Sequence, residues 1–229
     1  MDKKIMIIVA GIVLVIVLLI ACMFIPEKEE KVIDEKLGIT YGEGNEISLK
    51  YDTTNPVVAM YIQNYGSVVM ELYPDIAPNT VNNFISLVKS GFYDNNSFHR
   101  LVPGFVLQGG DPTGTGSGGP GYHIKGEFTE NGFENNLSHE KWVVSMARSQ
   151  DMDSAGSQFF ICVDDAVSLD GKYASFGKVI DGFDTIDAIV ENEVIADNNS
   201  GKLQTNLILK KAVVDLKGKN YPEVEKIPE

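Results

Sequence analysis

Apolar residues occur as short runs separated by polar or glycine-bearing turns over most of the chain. The runs VVAMYIQ and VVMELY flank the turn NYGS, so residues 57–73 predict a hairpin of two strands. Further runs of strand length are SFHRLV, FVLQGG, WVVSMA, QFFICV, YASFGKV and LILKKAVVDL. Many short strands with frequent turn signals are typical of a closed antiparallel barrel rather than an alternating α/β sheet.

Two segments have the periodicity of a helix instead. In APNTVNNFISLVKSG the apolar residues recur at i, i+3, i+4 and i+7 up to a closing glycine: Val81, Phe84, Ile85, Val88 and Gly91. GFDTIDAIVENEV, residues 182–194, has a second helical pattern. The fold class predicted for the folded part is therefore mainly β, with two α-helices.

The N-terminal segment is long and apolar. An uncharged run of 21 residues extends from Ile5 to Ile25, and a helix of that length matches the ~30 Å hydrocarbon core of a bilayer. Lys3 and Lys4 precede it, so the positive-inside rule keeps the N-terminus in the cytoplasm and exports the rest. The run exceeds the ~7–15 apolar residues of a secretory signal peptide. We therefore expect an uncleaved, single-pass anchor.

A lipid anchor is the alternative for the same segment. Residues 19–22 read Leu-Ile-Ala-Cys, which resembles a bacterial lipobox with Cys22 as the lipidation candidate. The apolar run continues past Cys22, which favours the spanning helix. Either outcome places the folded part outside the cytoplasmic membrane, attached to it.

Composition and charge divide the rest of the chain. After a membrane anchor or lipoprotein signal at residues 1–25, we expect a polar spacer at 26–56, a folded domain at 57–217 and a disordered tail at 218–229. The chain has 19 basic and 32 acidic residues, a net charge of −13. So acidic a protein is repelled by phosphate backbones, which argues against a nucleic-acid partner.

Common catalytic motifs do not account for the sequence. GTGSGG, residues 114–119, fits a dinucleotide pattern, but Pro120 and Gly121 follow where a helix would have to begin, so we expect a loop. The three histidines lack metal-ligand spacing, and no G-x-S-x-G turn supports a serine hydrolase. Cys162 lies in an apolar run and is expected to be a buried hydrophobe. We expect no cofactor and no metal.

The candidate site is instead a set of polar residues inside apolar runs. Gln108 and Gln158 each lie within a predicted strand, where an amide needs a hydrogen-bonding partner. With Arg100, Phe105 and Phe160 they could line an apolar pocket with a few donors, as ligand sites often do. The alternative for Arg100 is a structural ion pair with Asp or Glu.

Several motifs together resemble one family. FHRLVPGFVLQGGDPTGTGSGG, SMARS, GSQFFICV and LDGKYASFGKV, in this order and at these separations, are similar to the cyclophilin-type peptidyl-prolyl cis–trans isomerases. The resemblance extends over residues 57–216 and implies an eight-stranded antiparallel barrel capped by two helices. It also implies rotation about X–Pro bonds without a cofactor. The GDPTGTGSGGPGY variant indicates a bacterial-like member.

The resemblance also assigns roles to residues. It implies Arg100, Phe105 and Gln108 as catalytic. The implied substrate-binding residues are Val106, Gly116, Ala147, Arg148, Gln158, Phe160, Leu169 and Tyr173.

The chain departs from familiar members at a few of these positions. Val106 stands where methionine is common, Arg148 where many members have asparagine and Tyr173 where many have histidine. Ser168 replaces a tryptophan or another large residue, which argues against strong cyclosporin binding. Trp142 stands where glycine is common.

These observations predict a membrane-attached, extracytoplasmic monomer that acts on proline-containing polypeptides and assists the folding of exported proteins. The alternative is a cyclophilin-like module that binds proline-containing segments without turnover.

Overall fold

A computed structural model of the protein describes residues 32–41 and 46–228. The predicted anchor at Ile5–Ile25, with Cys22, lies outside these residues. Within the described ranges, no helix is long and apolar enough to cross a bilayer. The chain divides into two units, residues 1–38 and 39–229, and in the described part of the first unit residues 32–37 are helical.

The second unit contains thirteen described strands and two α-helices. In chain order they are β1 Thr40–Tyr41, β2 Ile47–Ser48, β3 Val57–Ile62, β4 Gly66–Leu72, α1 Pro78–Lys89, β5 Asn96–Val102, β6 Val106–Asp111, β7 Tyr122–His123, β8 Val143–Met146, β9 Phe159–Cys162, β10 Ser175–Asp181, α2 Phe183–Asn192, β11 Ile195–Asp197, β12 Lys202–Asp215 and β13 Ile227–Pro228.

Eight of these strands form a closed antiparallel barrel. The order of neighbours is β3, β4, β10, β8, β9, β6, β5 and β12, and β12 pairs with β3 to complete the circle. β12 can close the barrel because it is long: Val214 pairs with Val58 of β3, while Leu207 pairs with Phe98 of β5. Full closure leaves no barrel strand with an unpaired edge. The predicted fold class is confirmed for the folded part.

The hairpin and both helices predicted from periodicity are present. β3 and β4 pair from Val57 opposite Glu71 to Ile62 opposite Gly66, and Asn64 and Gly66 in the turn have positive φ. The apolar stripe of α1 is buried against the barrel, and Gly91, with φ of +70°, follows its end. α2 begins after Gly182, which also has positive φ.

Aromatic rings fill the core beneath α1. Phe84 contacts Phe159 edge-to-face at 5.2 Å between ring centroids, and Tyr93 and Phe98 meet the same Phe159 ring from two other sides. Edge-to-face pairs of this kind each contribute about 0.5–1.5 kcal/mol beyond the burial of their area. This cluster joins α1 to strands β5 and β9, and those strands carry residues of the candidate site.

The end of the predicted spacer lies on the domain. Leu49 is buried, and its backbone N–H donates to Asp215 at 2.8 Å. Lys217 Nζ donates to the carbonyls of Leu49 and Tyr51 and forms an ion pair with Asp215. These partners come from the far end of the chain, so local composition gives no sign of them. Part of the predicted polar spacer is thus held against the folded domain at Leu49 and Tyr51.

The predicted disordered tail is likewise folded against the domain. Tyr221 and Val224 pack on the main core, and Ile227 pairs with His123 of β7. The prediction rested on the polar composition of residues 218–229, and it was wrong for 218–228 because two isolated apolar side chains find partners on the barrel and α1.

Candidate active site

Three polar side chains on adjacent strands form a hydrogen-bonded row on the outside of the barrel. Arg100 on β5 is paired with Gln108 on β6, and Gln158 immediately precedes β9, the next strand. Arg100 Nη1 donates to Gln108 Oε1 at 3.2 Å, and Gln108 Nε2 donates to Gln158 Oε1 at 3.0 Å. Gln108 and Gln158, which the sequence places within predicted strands, thus each have the hydrogen-bonding partner that a partly buried amide requires.

A turn between β11 and β12 positions the arginine. Arg100 Nε donates to the Ser200 carbonyl at 2.8 Å, and the N–H of Leu101 donates to the Gly201 carbonyl at 2.8 Å. Gly201 has φ of +73°, and a Cβ there would lie 2.7 Å from the Leu101 carbonyl oxygen. Only glycine fits at this position, so the turn can approach β5 closely. Sequence reasoning missed this support, although NNSG is a recognisable turn sequence.

The alternative for Arg100, a structural ion pair with Asp or Glu, is not found in the described part of the chain. Among the described residues no carboxylate lies within ion-pair distance of its guanidinium. Burial lowers the pKa of Arg100 from its ordinary value, against an opposing effect of Tyr173, but an arginine stays charged in a protein. The site therefore contains a half-buried cation with N–H donors that its protein partners leave unused.

An apolar pocket lies beside this row. Val106, Phe160, Cys162 and Ala166 form a buried cluster separate from the main core, and four partly buried residues pack against it: Phe105, Ala147, Leu169 and Tyr173. Phe160 and Tyr173 meet edge-to-face at 5.8 Å between centroids. The structure thus brings together six of the residues to which the resemblance assigned a role: Phe105, Val106, Ala147, Phe160, Leu169 and Tyr173.

A buried histidine supports the floor of this pocket. The ring of His139 stacks on Phe160 at 6.0 Å, and its two nitrogens contact Asp170 at 2.8 Å and Ser145 at 3.0 Å. Burial lowers the pKa of His139 from its ordinary value, although Asp170 acts in the opposite direction. Sequence reasoning missed His139, because its partners lie on two other elements.

The glycine-rich segment is a loop, as predicted, and Asp111 organises it. Asp111 accepts hydrogen bonds from the N–H groups of Thr113, Thr115 and Gly116 and from the Thr113 hydroxyl. Burial alone would raise the pKa of Asp111, but these hydrogen bonds lower it well below its usual range. Gly118 lies so close to Asp111 that a Cβ would meet the carboxylate.

The loop forms one wall of a second, more polar cavity of about 400 Å³. Gln158 Nε2 donates to the carbonyls of Gly116 and Gly118, which ties the loop to the row that begins at Arg100. The other predicted residues on this cavity are Gln108, Ala147 and Arg148. The cavity and the apolar pocket are therefore two halves of one groove, with Ala147 on both.

Arg148 contacts both halves of the groove. Its guanidinium lies 4.8 Å from the centroid of the Tyr173 ring and 5.0 Å from that of Phe128. Its Nε and Nη1 donate to backbone carbonyls, including that of Lys172 at 3.0 Å. Arg148 thus fastens the loop that carries Tyr173 to the strand end that carries Ala147.

The structure shows the surroundings of two residues that depart from the family pattern, Ser168 and Trp142. Ser168 is exposed in a short 3₁₀ turn, so it adds no large side chain to the pocket. Trp142 has φ of +80°, in the region that favours glycine, and packs against Phe183 at 5.1 Å and under Lys141. These contacts offset the backbone strain at this position.

The hydroxyl of Ser157 and the thiol of Cys162 are not placed for covalent chemistry. The Ser157 hydroxyl is buried and donates to the Gly110 carbonyl. Cys162 is fully buried, as predicted, and burial raises the pKa of its thiol to about 12. The groove can bind and polarise a ligand, but neither of these groups is placed to attack one.

A sequence model described as cyclophilin type peptidyl-prolyl cis–trans isomerase matches residues 57–214. The chain belongs to this family. It is 42% identical over 134 residues to a peptidyl-prolyl cis–trans isomerase of Helicobacter pylori, which covers 58% of this chain and 79% of that one. It is 48% identical over 123 residues to peptidyl-prolyl cis–trans isomerase B of Bacillus subtilis, covering 54% and 82%.

Solved cyclophilins have the same fold. A cyclophilin-type isomerase of Cryptosporidium parvum, crystallised in the presence of the dipeptide Ala-Pro, superposes with a TM-score of 0.61 at 37% identity, covering 69% of this chain and 98% of that one. The cyclophilin domain is therefore a peptidyl-prolyl cis–trans isomerase, and the family match coincides closely with the predicted domain at 57–217.

Proposed function

We propose that the groove centred on Arg100 is the isomerase site, and that the chain works outside the cytoplasmic membrane on exported polypeptides. The observation that carries the first part is the row Arg100–Gln108–Gln158 beside the apolar pocket. It joins a fixed cation, amides that can fix a peptide backbone and an apolar surface that a proline ring can contact.

Rotation about an X–Pro bond requires no bond cleavage. The barrier of ~18–20 kcal/mol arises from the partial double-bond character of the C–N bond. At the twisted transition state the nitrogen loses conjugation and gains a basic lone pair. An N–H of Arg100 can donate to that lone pair but not to the planar ground state, so it stabilises the transition state selectively.

The other residues would hold the substrate while it rotates. Phe105, Phe160 and Leu169 would hold the proline ring by apolar contact. Gln108 and Gln158 would bind peptide carbonyls or N–H groups, so that rotation is confined to one side of the bond. The C. parvum relative was crystallised with Ala-Pro, and the same class of ligand suits this groove.

The proposed location rests on the sequence of the N-terminal segment. The 21-residue apolar run after Lys3 and Lys4 predicts a cytoplasmic N-terminus and an exported domain. Polypeptides that emerge from export refold with their prolines in mixed isomers, and uncatalysed exchange takes tens to hundreds of seconds. An isomerase attached to the outer face would shorten that delay.

The location is tested by protease treatment of intact bacterial spheroplasts that produce the full chain. Exposure on the outer face predicts digestion of the isomerase domain without lysis, while a cytoplasmic control protein survives. Protection of the domain until lysis would contradict the proposal. Mass spectrometry of the mature N-terminus decides the kind of anchor, since an intact Met1 or Asp2 excludes processing at Cys22.

The non-catalytic alternative is tested separately. The full chain, held in a mild detergent, should accelerate cis–trans exchange of a short X–Pro peptide in an NMR exchange assay. Binding of the peptide without acceleration would favour a module that only holds proline-containing segments.

A further inference from the structure

Residues 218–228, here the C-terminal strap, lie beyond the family match, which ends at residue 214. They follow the outer surface of α1, where Tyr221 and Val224 face a shallow hollow that they share with Ile85 and Lys89. The strap therefore lies outside the part of the chain that the family model matches, and it passes close to the start of α1.

One asparagine on α1 binds the backbone of the strap at two points. Asn79 Nδ2 donates to the Glu225 carbonyl at 3.0 Å, and the N–H of Glu225 donates to Asn79 Oδ1 at 2.8 Å. This pairing aligns the next residues with β7. Ile227 pairs with His123, and Lys226 Nζ lies 4.2 Å above the Tyr122 ring.

The backbone of β7 has little pairing among the described residues, although the Tyr122 side chain packs on the main core. In the described part of the chain its strand partner is β13, and the two form a separate two-stranded sheet. The following residue, Ile124, makes a single bridge with Ala155. A two-stranded pair of this size has little stability of its own, so the position of β7 depends on what packs against it.

β7 is connected directly to the polar cavity of the groove. His123 lines that cavity together with Gly156 and Gln158. The Tyr122 hydroxyl donates to Asn83, and Asn83 donates to the Gly156 carbonyl, both at 2.7 Å. A Cβ on Gly156 would lie 3.2 Å from the Tyr122 carbonyl, so this wall is tightly packed. A shift of β7 must therefore move this wall of the polar cavity.

We propose that the C-terminal strap is a positioning element of the isomerase site, which fixes the β7 wall of the polar cavity for residues of a polypeptide substrate beyond the X–Pro pair. The inference rests on the assignment of the groove as the peptide site. It predicts a dependence on substrate length, because a minimal X–Pro ligand occupies the apolar pocket and a longer chain also reaches the polar cavity.

Two variants of the full chain test the proposal. One lacks residues 220–229, and the other is Asn79→Ala, which removes both side-chain contacts with Glu225 and keeps the strap. Asn192→Ala is the matched control, because Asn192 is an exposed asparagine on α2 that bonds only within its own helix. Each protein is assayed by NMR exchange on a capped Ala-Pro dipeptide and on a decapeptide with the same Ala-Pro at its centre.

The deletion should lower kcat/KM for the decapeptide about ten-fold through KM, with a smaller effect of Asn79→Ala in the same direction. Activity on the dipeptide should stay within about two-fold of the unaltered chain in both variants. An equal loss on both peptides, or no loss on either, would overturn the proposal. Asn79→Ala decides the outcome if the deletion unfolds the domain. A wrong assignment of the groove would give a different result, because an Arg100 variant would then be fully active on both peptides.

Discussion

Gln108 accepts a hydrogen bond from Arg100 and donates one to Gln158 through the two ends of the same amide. Because an amide has one acceptor end and one donor end, this arrangement fixes its orientation. The guanidinium is thus coupled through two glutamines to the glycine-rich loop, 16 to 18 positions along the chain from Arg100 (Gly116 and Gly118). The polar side of the groove is one connected network.

Replacing Gln108 by Leu should break this network without changing the volume of the side chain much. We expect kcat/KM to fall about ten-fold, because one hydrogen bond that orients Arg100 is lost and a Gln158 acceptor loses its donor. Gln63→Leu, at an exposed position in the β3–β4 turn, is the matched control. Equal activity of the two variants in the exchange assay would show that Gln108 does not orient the arginine.

Asp111 should control the shape of the loop. Asp111→Asn removes the charge and puts an amide group where several N–H groups point, so we expect the loop to loosen and kcat/KM to fall several-fold. NMR spectra should show altered amide signals for Thr115 and Gly116. Because the pKa of Asp111 is low, the unaltered loop should keep its amide signals down to about pH 4. Loss of those signals between pH 6 and 5 would contradict this role.

Stability should decrease on mild acidification because of buried histidines. Burial lowers the pKa of His99, with Asp111 opposing the shift and Arg100 adding to it, and its ring nitrogens are buried without a hydrogen-bond partner among the described residues. The unfolded chain takes up this proton near pH 6.5, whereas the folded chain does so only at lower pH. The free energy of unfolding should therefore fall as pH drops below about 6.5.

Urea unfolding at pH 7.5, 6 and 5 measures this effect. His99→Leu should reduce the pH dependence, while His139, whose pKa is lowered in the same way, keeps part of it. If the free energy of unfolding of His99→Leu depends on pH as strongly as that of the unaltered chain, His99 has the same pKa in the folded and the unfolded chain.

The pair Lys217–Asp215 should stabilise the junction between the N-terminal and C-terminal segments. Its Nζ–Oδ2 distance is 2.8 Å, and the two side chains are only 15% and 7% exposed. Lys217→Met leaves the carboxylate buried without its cation and frees the Leu49 and Tyr51 carbonyls, so we expect a loss of about 3 kcal/mol in the free energy of unfolding. Lys219→Met, at an exposed position, should change it by less than about 0.5 kcal/mol.

The barrel and helices could be predicted because their signals are local. The apolar runs of strand length and the apolar stripe on α1 predict which side chains are buried, and the structure buries those side chains. The groove is different, since Phe105, Phe160 and Leu169 come from separate elements and share no spacing rule. Only the resemblance to a family could bring them together before the fold was known.

The two terminal segments could not be predicted, for a related reason. Residues 46–56 and 218–228 contain isolated apolar side chains, such as Leu49 and Tyr221, in polar surroundings. Their burial depends on partners more than a hundred positions away, such as Asp215 for Leu49 and α1 for the strap. Composition alone favours a spacer or a disordered tail in such cases.

Kinetics of Arg100→Ala test whether Arg100 stabilises the twisted X–Pro bond. The variant should lower kcat/KM for a short X–Pro peptide about 10²–10³-fold, the scale for loss of a preorganised transition-state donor. Arg100→Lys keeps the charge but not the rigid fork of donors, and should recover only part of the loss. If Arg100→Ala keeps the fold and is as active as the unaltered chain, Arg100 is not the donor that stabilises the transition state.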